Sequence, residues 1–121
     1  MTAVTGTNWT AYDAATMTAR EIYGRTLAQM GKTNEKIVGV TADLSKTTAI
    51  VHFEKAFPER FFNVGIAEQN MMGVAAGLAK AGLIPFASTM AVFASMRAGE
   101  QVRTDIAYQN LPVKIIATHA G

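Results

Sequence analysis

The sequence predicts an α/β fold, a parallel sheet with helices on both faces. Four short apolar runs alternate with segments of helical periodicity, and this order is typical of parallel sheets. The runs are apolar on both faces, as in strands that lie between two helical layers. Half of the 121 residues are hydrophobic, which excludes wholesale disorder and is enough for one buried core.

The first regular element is a helix that begins near Thr18. Residues 1–15 are rich in Thr, Ala and Gly without a sustained period, and we interpret them as an arm or linker before a domain over residues 16–121. Thr18 and Glu21 have the spacing of a capping box, and an apolar stripe at helical intervals follows them. Gly31 is the expected stop of this helix.

The remaining elements alternate to the end of the chain. We predict strands over about residues 36–41, 61–64, 83–89 and 113–118, and helices over about residues 49–57, 67–81 and 94–108. Gly82, directly after the third helix, is its expected stop. Only three residues follow the fourth strand. Because a strand with two buried faces needs covering helices, we expect the domain to be incomplete at its C-terminus.

Composition excludes several classes of function. Eleven Lys and Arg against nine Asp and Glu give a net charge of +2, too small for a polycation that binds nucleic acid non-specifically. The absence of Cys excludes disulfides, thiolate zinc sites and cysteine nucleophiles. His52 and His119 are far apart in the sequence, which argues against a metal site formed wholly by this chain. With no apolar run of membrane-spanning length and no signal pattern, the sequence predicts a cytoplasmic protein.

Residues with chemical potential follow the predicted strands. Asp43 and Thr47 come after the first strand, Glu68 after the second, Phe93 after the third and His119 after the fourth. In open parallel sheets, ligands bind beyond the carboxyl ends of the strands. The sequence therefore predicts a functional cleft at this edge.

Each candidate also has a structural interpretation. A lone histidine such as His119 is more often structural than catalytic. Asp43 at a strand end is as often a turn or helix cap as a ligand. Arg20, on an amphipathic helix, is ordinarily a solvated surface residue.

Glu68 opens a helix that is almost free of charge before Lys80. An acidic residue in a first turn is favoured by the helix dipole, by roughly 0.3–1 kcal/mol, and needs no other role. However, a helix that is apolar on all sides is buried on all sides, and Gly73 and Gly77 allow another backbone to approach closely. We therefore expect Glu68 to lie at the entrance of a buried interface, where a carboxylate needs a partner.

Residues 61–77 (FFNVGIAEQNMMGVAAG) closely resemble the pyrimidine-binding domain of transketolases, especially those split into two subunits. The resemblance continues through TADLSKTT, IPFASTMAVFASMRAGEQVR and VKIIATHAG and covers about 100 of the 121 residues. It is stronger for transketolase than for deoxyxylulose-phosphate synthase or the beta subunits of 2-oxoacid dehydrogenases. These two thiamin enzymes remain the alternatives within the class.

The resemblance implies a transferase of the pentose phosphate pathway that moves a two-carbon ketol unit between phosphorylated sugars. Its cofactors are thiamin diphosphate and Mg²⁺, which a diphosphate-binding partner subunit helps to hold. The glutamate matching Glu68 is catalytic and hydrogen-bonds a ring nitrogen of the aminopyrimidine, on which the aromatic ring matching Phe93 stacks. Asp43 matches an acidic residue near the cofactor at the subunit interface.

The resemblance also implies a substrate site. Arg20 and Thr47 match positions that hold the substrate phosphate, and His119 matches a catalytic histidine that binds sugar hydroxyls and assists proton transfer. Met90 and Met96 stand where aromatic residues often line the cofactor pocket.

Two further expectations concern the whole chain. It is expected to be inactive alone and to form a homo-oligomer through the helix of Glu68. A different class of function also stays open, a non-catalytic fragment that provides only an oligomer interface.

Overall fold

The computed structural model describes residues 16–121 as a four-stranded parallel sheet with helices on both faces. The arm predicted over residues 1–15 lies outside the described residues. The elements, in chain order, are α1 (Ala19–Thr33), β1 (Ile37–Thr41), α2 (Val51–Ala56), β2 (Phe61–Asn63), α3 (Glu68–Lys80), β3 (Ile84–Met90) and β4 (Lys114–Thr118). Between β3 and β4, the helical segment 93–107 combines the π-helical turns Phe93–Arg97 and Val102–Ala107 with the short α-helix Gly99–Gln101.

The strands lie in the order β2-β1-β3-β4, and every neighbouring pair is parallel. Thr41 at the end of β1 pairs with Asn63 on one side and Ser88 on the other, and Met90 pairs with Thr118. All four strands therefore end at one edge of the sheet, which we call the carboxyl edge. This is the edge at which the sequence predicts a cleft.

Two hydrophobic layers cover the two faces of the sheet. The layer beneath α1 and α2 is built on Leu27, Ile37, Ile50 and Phe53. The layer beneath α3 and segment 93–107 includes Val40, Met71, Met72, Ala75, Ala87 and Ile106. Because β1 lies between both layers, all five of its residues are buried, as the apolar pattern predicts.

The sequence predicts the start of α1 correctly but not its end. At the start, the prediction is confirmed, since Thr18 Oγ1 accepts a hydrogen bond from the Glu21 N–H at 3.4 Å. The predicted stop at Gly31 is wrong, because α1 continues to Thr33 and Gly31 is buried inside it. A Cβ at Gly31 would lie 2.5 Å from Phe57 Cε2. This glycine therefore permits close packing rather than ending the helix.

The exposed side of α3 qualifies the expectation that this helix is buried all round. Its buried residues are Glu68, Met71, Met72, Ala75, Ala76 and Ala79. Gln69, Asn70, Gly77 and Lys80 are exposed, so residues 16–121 cover one side of the helix only. The helix ends as predicted, with Lys80 as its last residue and Gly82 at a φ of +93°.

The predicted helix 94–108 is confirmed in position but not in regularity. Segment 93–107 is mostly π-helical, so its side chains do not follow the period of 3.6 residues on which the prediction depends.

No helix in residues 16–121 is long and apolar enough to cross a membrane.

Candidate functional site

Glu68 is the first residue of α3 and lies at the carboxyl edge. The chain leaves β2, turns through Gly65 at a φ of +77° and enters α3. Although glutamate is usually a surface residue, Glu68 is only 1% exposed. Its Oε2 accepts a hydrogen bond from Arg97 Nη1 at 2.9 Å, and this ion pair compensates the buried charge.

Arg97 joins Glu68 to Phe93. The guanidinium carbon of Arg97 lies 4.0 Å from the centroid of the Phe93 ring, in a cation–π contact. Phe93 and Arg97 are the first and last residues of one π-helical turn, and such turns are frequent at functional sites. The structure thus brings the predicted residues Glu68 and Phe93 together through an arginine that the sequence analysis missed. Its one signal is a cation four residues after Phe93 in an otherwise apolar stretch.

Two further predicted residues, Arg20 and His119, line an open pocket of about 520 Å³ between the start of α1 and the end of β4. Arg20, Tyr23, Thr118 and His119 are among its lining residues. Arg20 Nη1 donates a hydrogen bond to the Thr47 carbonyl oxygen at 3.2 Å. Arg20 and His119 therefore line one pocket, and the Thr47 backbone contacts Arg20, although the three residues are far apart in the sequence.

Tyr23 forms a wall of this pocket, a role that the sequence analysis missed because Tyr23 belongs to the apolar stripe of α1. Its hydroxyl lies 2.6 Å from Ser88 Oγ in a hydrogen bond. Burial raises the pKa of the Tyr23 phenol above its ordinary value, and the hydrogen bond with Ser88 offsets part of this rise.

Asp43 follows β1 and is exposed. Its backbone N–H donates to Asn63 Oδ1 at 3.0 Å, and the Gly65 N–H donates to the same oxygen at 3.0 Å. Asn63, also missed by the sequence analysis, thus ties together the chain segments that follow β1 and β2. Among residues 16–121, no hydrogen bond or ion pair joins Asp43 to Glu68 or His119.

Among residues 16–121, three of the four non-glycine residues with a positive φ lie in segments that follow β1 or β4, and the fourth, Asn110, precedes β4. Asp43, Ala49 and His119 have φ values of 60°, 63° and 59°. Such conformations cost about 1–3 kcal/mol each in a non-glycine residue and cluster at functional sites. The His119 ring is also fixed locally, because its Nδ1 lies 2.8 Å from Thr118 Oγ1.

The two methionines that match the lining of the cofactor pocket, Met90 and Met96, differ in exposure. Met90, at the end of β3, is half-buried and Met96 is 81% exposed. Within residues 16–121, no three His, Asp or Glu side chains come together as a potential metal site.

Comparisons with known proteins show to which family the chain is similar. Residues 15–121 match the family described as "Transketolase, pyrimidine binding domain". A curated relative from Methanocaldococcus jannaschii, named "Putative transketolase C-terminal section", is 57% identical over 102 residues, which are 84% of this chain and 32% of the relative. A 1-deoxy-D-xylulose-5-phosphate synthase from Halothermothrix orenii is 41% identical over 104 residues, 86% of this chain and 16% of the synthase.

Solved structures give the same result. A split gene transketolase, described as an inactive beta4 tetramer, has a TM-score of 0.75 and 63% identity over 83% of this chain and 33% of its own. Transketolase from Campylobacter jejuni has a TM-score of 0.72 and 25% identity, over 83% of this chain and 16% of its own. The chain thus spans about a third or less of the length of these relatives.

Proposed function

Because this chain belongs to the transketolase pyrimidine-binding domain family, we propose that it forms the pyrimidine-binding half of a thiamin diphosphate site in a transketolase. In this role it takes part in the transfer of a two-carbon ketol unit between phosphorylated sugars. The observation that carries the proposal is the buried carboxylate of Glu68 at the carboxyl edge, in one cluster with the aromatic ring of Phe93.

The side chains of Glu68 and Phe93 fit the pyrimidine ring of that cofactor. Arg97 holds Glu68 Oε2, and no other described residue hydrogen-bonds this carboxylate, so Oε1 is available as an acceptor for a ring N–H. Phe93 offers an aromatic face for stacking. Glu68 binds and orients the ring and holds the proton at its nitrogen, and thiamin diphosphate supplies the electron sink that ketol transfer needs. Asp43 contributes an acidic group at the same edge.

The diphosphate and its Mg²⁺ belong to a partner subunit in this proposal. Residues 16–121 contain no cluster of three metal-ligating carboxylates or histidines. Three exposed apolar residues lie close in the sequence to the cluster of Glu68, Phe93 and Arg97: Ile66 two positions before Glu68, Val92 directly before Phe93 and Met96 directly before Arg97. Exposed apolar surface of this kind is typical of an interface. A relative described as an inactive beta4 tetramer is consistent with a chain that needs its partner for activity.

The pocket between α1 and β4 is the proposed substrate site. A guanidinium such as that of Arg20 matches the geometry of a phosphate group, and Thr47 contacts Arg20 from the loop after β1. His119 lines the same pocket, where it binds sugar hydroxyls and assists proton transfer. We place this enzyme in the cytoplasm and its reaction in the pentose phosphate pathway.

The test is ketol transfer by this chain assembled with a diphosphate-binding partner chain. Glu68→Gln keeps the size of the side chain but removes its charge, and we expect kcat to fall by about 10²–10⁴, the usual contribution of acid–base catalysis. The matched control is Glu100→Gln, an exposed glutamate at the start of another helical turn, which leaves kcat unchanged. Wild-type turnover in the Glu68→Gln enzyme would contradict the assignment.

The same assembly separates the other candidates. Because the chain is 41% identical to a deoxyxylulose-phosphate synthase, the synthase reaction is assayed as well. Turnover of pyruvate with a triose phosphate, and not of sugar phosphates, would favour the synthase. Turnover of 2-oxoacids would favour the dehydrogenase type. If calorimetric titration of thiamin diphosphate and Mg²⁺ gives no heat with or without the partner, the chain provides only an oligomer interface.

A further inference from the structure

Arg97 is the one member of the cluster with Glu68 and Phe93 to which the proposed function assigns no contact with the cofactor. We propose that Arg97 is a positioning residue that holds the Glu68 carboxylate and the Phe93 ring in the arrangement that receives the pyrimidine. The inference rests on the proposed function, because it takes Glu68 and Phe93 as the residues that contact the cofactor. Arg97 acts through these two side chains and not on the reacting atoms.

The first step concerns the carboxylate. Glu68 is 1% exposed, and Arg97 is its hydrogen-bond partner among residues 16–121. A glutamate has three rotatable side-chain bonds, so a carboxylate held at one oxygen loses most of that freedom. The bond from Arg97 Nη1 to Oε2 leaves Oε1 for a ligand. The conformational entropy of the Glu68 side chain is therefore lost when the chain folds and not when the cofactor binds.

The second step concerns the aromatic ring. The Arg97 guanidinium lies over one face of Phe93, with its carbon 4.0 Å from the ring centroid. Phe93 is half-buried, and we assign the face opposite Arg97 to stacking on a ligand. A planar guanidinium can stack with its face and donate hydrogen bonds from its edge at the same time. One side chain thus fixes both ligand contacts relative to each other.

The exposure of Arg97 leads to a competing hypothesis, which predicts the opposite change in cofactor affinity when Arg97 is removed. Its side chain is 46% exposed, whereas the carboxylate behind it is buried. A guanidinium that bonds a carboxylate and covers an aromatic face makes the two contacts that we assign to the pyrimidine. If Arg97 occupies the place of that ring, its removal strengthens cofactor binding. If Arg97 positions Glu68 and Phe93, its removal weakens binding.

The experiment is calorimetric titration of thiamin diphosphate with Mg²⁺ into the complex of this chain and its partner. We expect Arg97→Ala to weaken binding by about tenfold to a hundredfold, the range for a hydrogen bond to a charged group. Arg97→Lys keeps the charge but lacks the planar fork, so its loss is smaller. Arg103→Ala is the matched control, because Arg103 is an exposed arginine of the same segment, and it leaves binding unchanged.

Two further measurements distinguish positioning from general damage. Inorganic pyrophosphate with Mg²⁺ occupies the diphosphate subsite alone, so its affinity is unchanged by Arg97→Ala. In a Glu68→Gln background, Arg97→Ala causes a smaller further loss than in the wild type, because the bond between the two side chains is already weakened. A structural defect would lower both affinities and would be additive with Glu68→Gln.

The outcomes separate this inference from the proposed function. If the wild-type complex does not bind thiamin diphosphate, the proposed function fails. If it binds and Arg97→Ala binds equally well, positioning by Arg97 is wrong. If Arg97→Ala binds more tightly, the guanidinium occupies the place of the ring. Where Arg97→Ala does not assemble, Arg97→Lys decides by the same comparison with the wild type.

Discussion

The hydroxyl group of Tyr23 ends in the interior of the protein, 2.6 Å from Ser88 Oγ. Ser88 is fully buried, and among residues 16–121 the phenol is the hydrogen-bond partner of its hydroxyl. The bond connects α1 to the central strand β3 beneath the Arg20–His119 pocket. The wall of the pocket is therefore held by one buried polar contact as well as by apolar packing.

We predict that Tyr23→Phe lowers the free energy of unfolding by about 1–3 kcal/mol, because it leaves the buried Ser88 hydroxyl without a partner. The measurement is urea unfolding of the chain. Tyr108→Phe is the control, since Tyr108 is 87% exposed and its change stays within about 0.5 kcal/mol. Equal stabilities of the two variants would show that the buried bond has no net effect. Adding Ser88→Ala to Tyr23→Phe removes the unpaired group and restores part of the loss.

Residue-scale prediction from the sequence succeeds where one residue carries its own signal. Thr18 has a capping geometry that depends on its neighbours in the chain alone, and the structure contains it. The contact of Arg97 with Glu68 spans 29 positions, and no local pattern encodes it. Gly31 was misread for the same reason, because the Phe57 ring that excludes a side chain there belongs to the segment after α2.

At the scale of elements, a network of polar contacts around Glu21 connects α1 to α2. Glu21 Oε1 lies 2.7 Å from Arg25 Nε within α1 and 2.9 Å from His52 Nε2 of α2. The hydrogen bond from Arg25 holds the pKa of Glu21 below its ordinary value of 4.5, with a further lowering by His52 and an opposing rise from desolvation. The folded state thus favours the ionised form of Glu21.

This lowered pKa fixes the sign of a pH dependence. A carboxyl with a depressed pKa in the folded state stabilises the fold above its ordinary pKa, and this stability is lost as the pH falls through 4.5 toward the folded value. We predict that Glu21→Gln destabilises the chain at pH 7 by less than about 1 kcal/mol, because the pair is partly exposed. The difference from the wild type shrinks as the pH falls below 4.5 and is smaller at pH 3 than at pH 7. Urea unfolding at both pH values measures it.

The control for this pH experiment is Glu35→Gln. Glu35 is exposed and follows α1, so its variant has the stability of the wild type at both pH values. A Glu21→Gln effect that persists undiminished at pH 3 would show that packing, and not charge, is responsible.

The strands and helices were predictable where the spacing of apolar residues in the sequence matches the residues that are buried. All four strands are short apolar runs, and each lies within about one residue of its predicted position. The π-helical turns of segment 93–107 were not predictable, because a helix that winds more widely has no residue signature of its own. One of these turns sets the position of Arg97 relative to Phe93.

At the scale of the molecule, strand polarity explains why distant residues form a site. Parallel strands end at the same edge, so Asp43, Glu68, Phe93 and His119 were predictable as occupants of one edge. The strand order β2-β1-β3-β4 was not predicted, and it divides these residues into separate clusters. Their roles in catalysis and binding remain predictions.

The open side of α3 is the surface on which we predict that a second copy of this chain packs. Gly73, Gly77, Lys80 and Asp105 are among the residues that line a shallow groove of about 530 Å³ there. A Cβ at Gly77 would meet nothing within 4 Å, so this chain leaves room for another backbone. Its small residues and the beta4 tetramer reported for a relative both favour a second copy.

We predict that Gly77→Arg lowers the mass of the assembly in sedimentation equilibrium without lowering its helix content. The arginine has free space within its own chain and a higher helix propensity than glycine, so the fold tolerates it. In the oligomer the same side chain occupies the contact surface and brings a charge into it. Ala56→Arg is the control, because Ala56 is exposed on α2, on the opposite face of the sheet, and receives the same group. If Gly77→Arg and Ala56→Arg sediment alike, the oligomer does not form through α3.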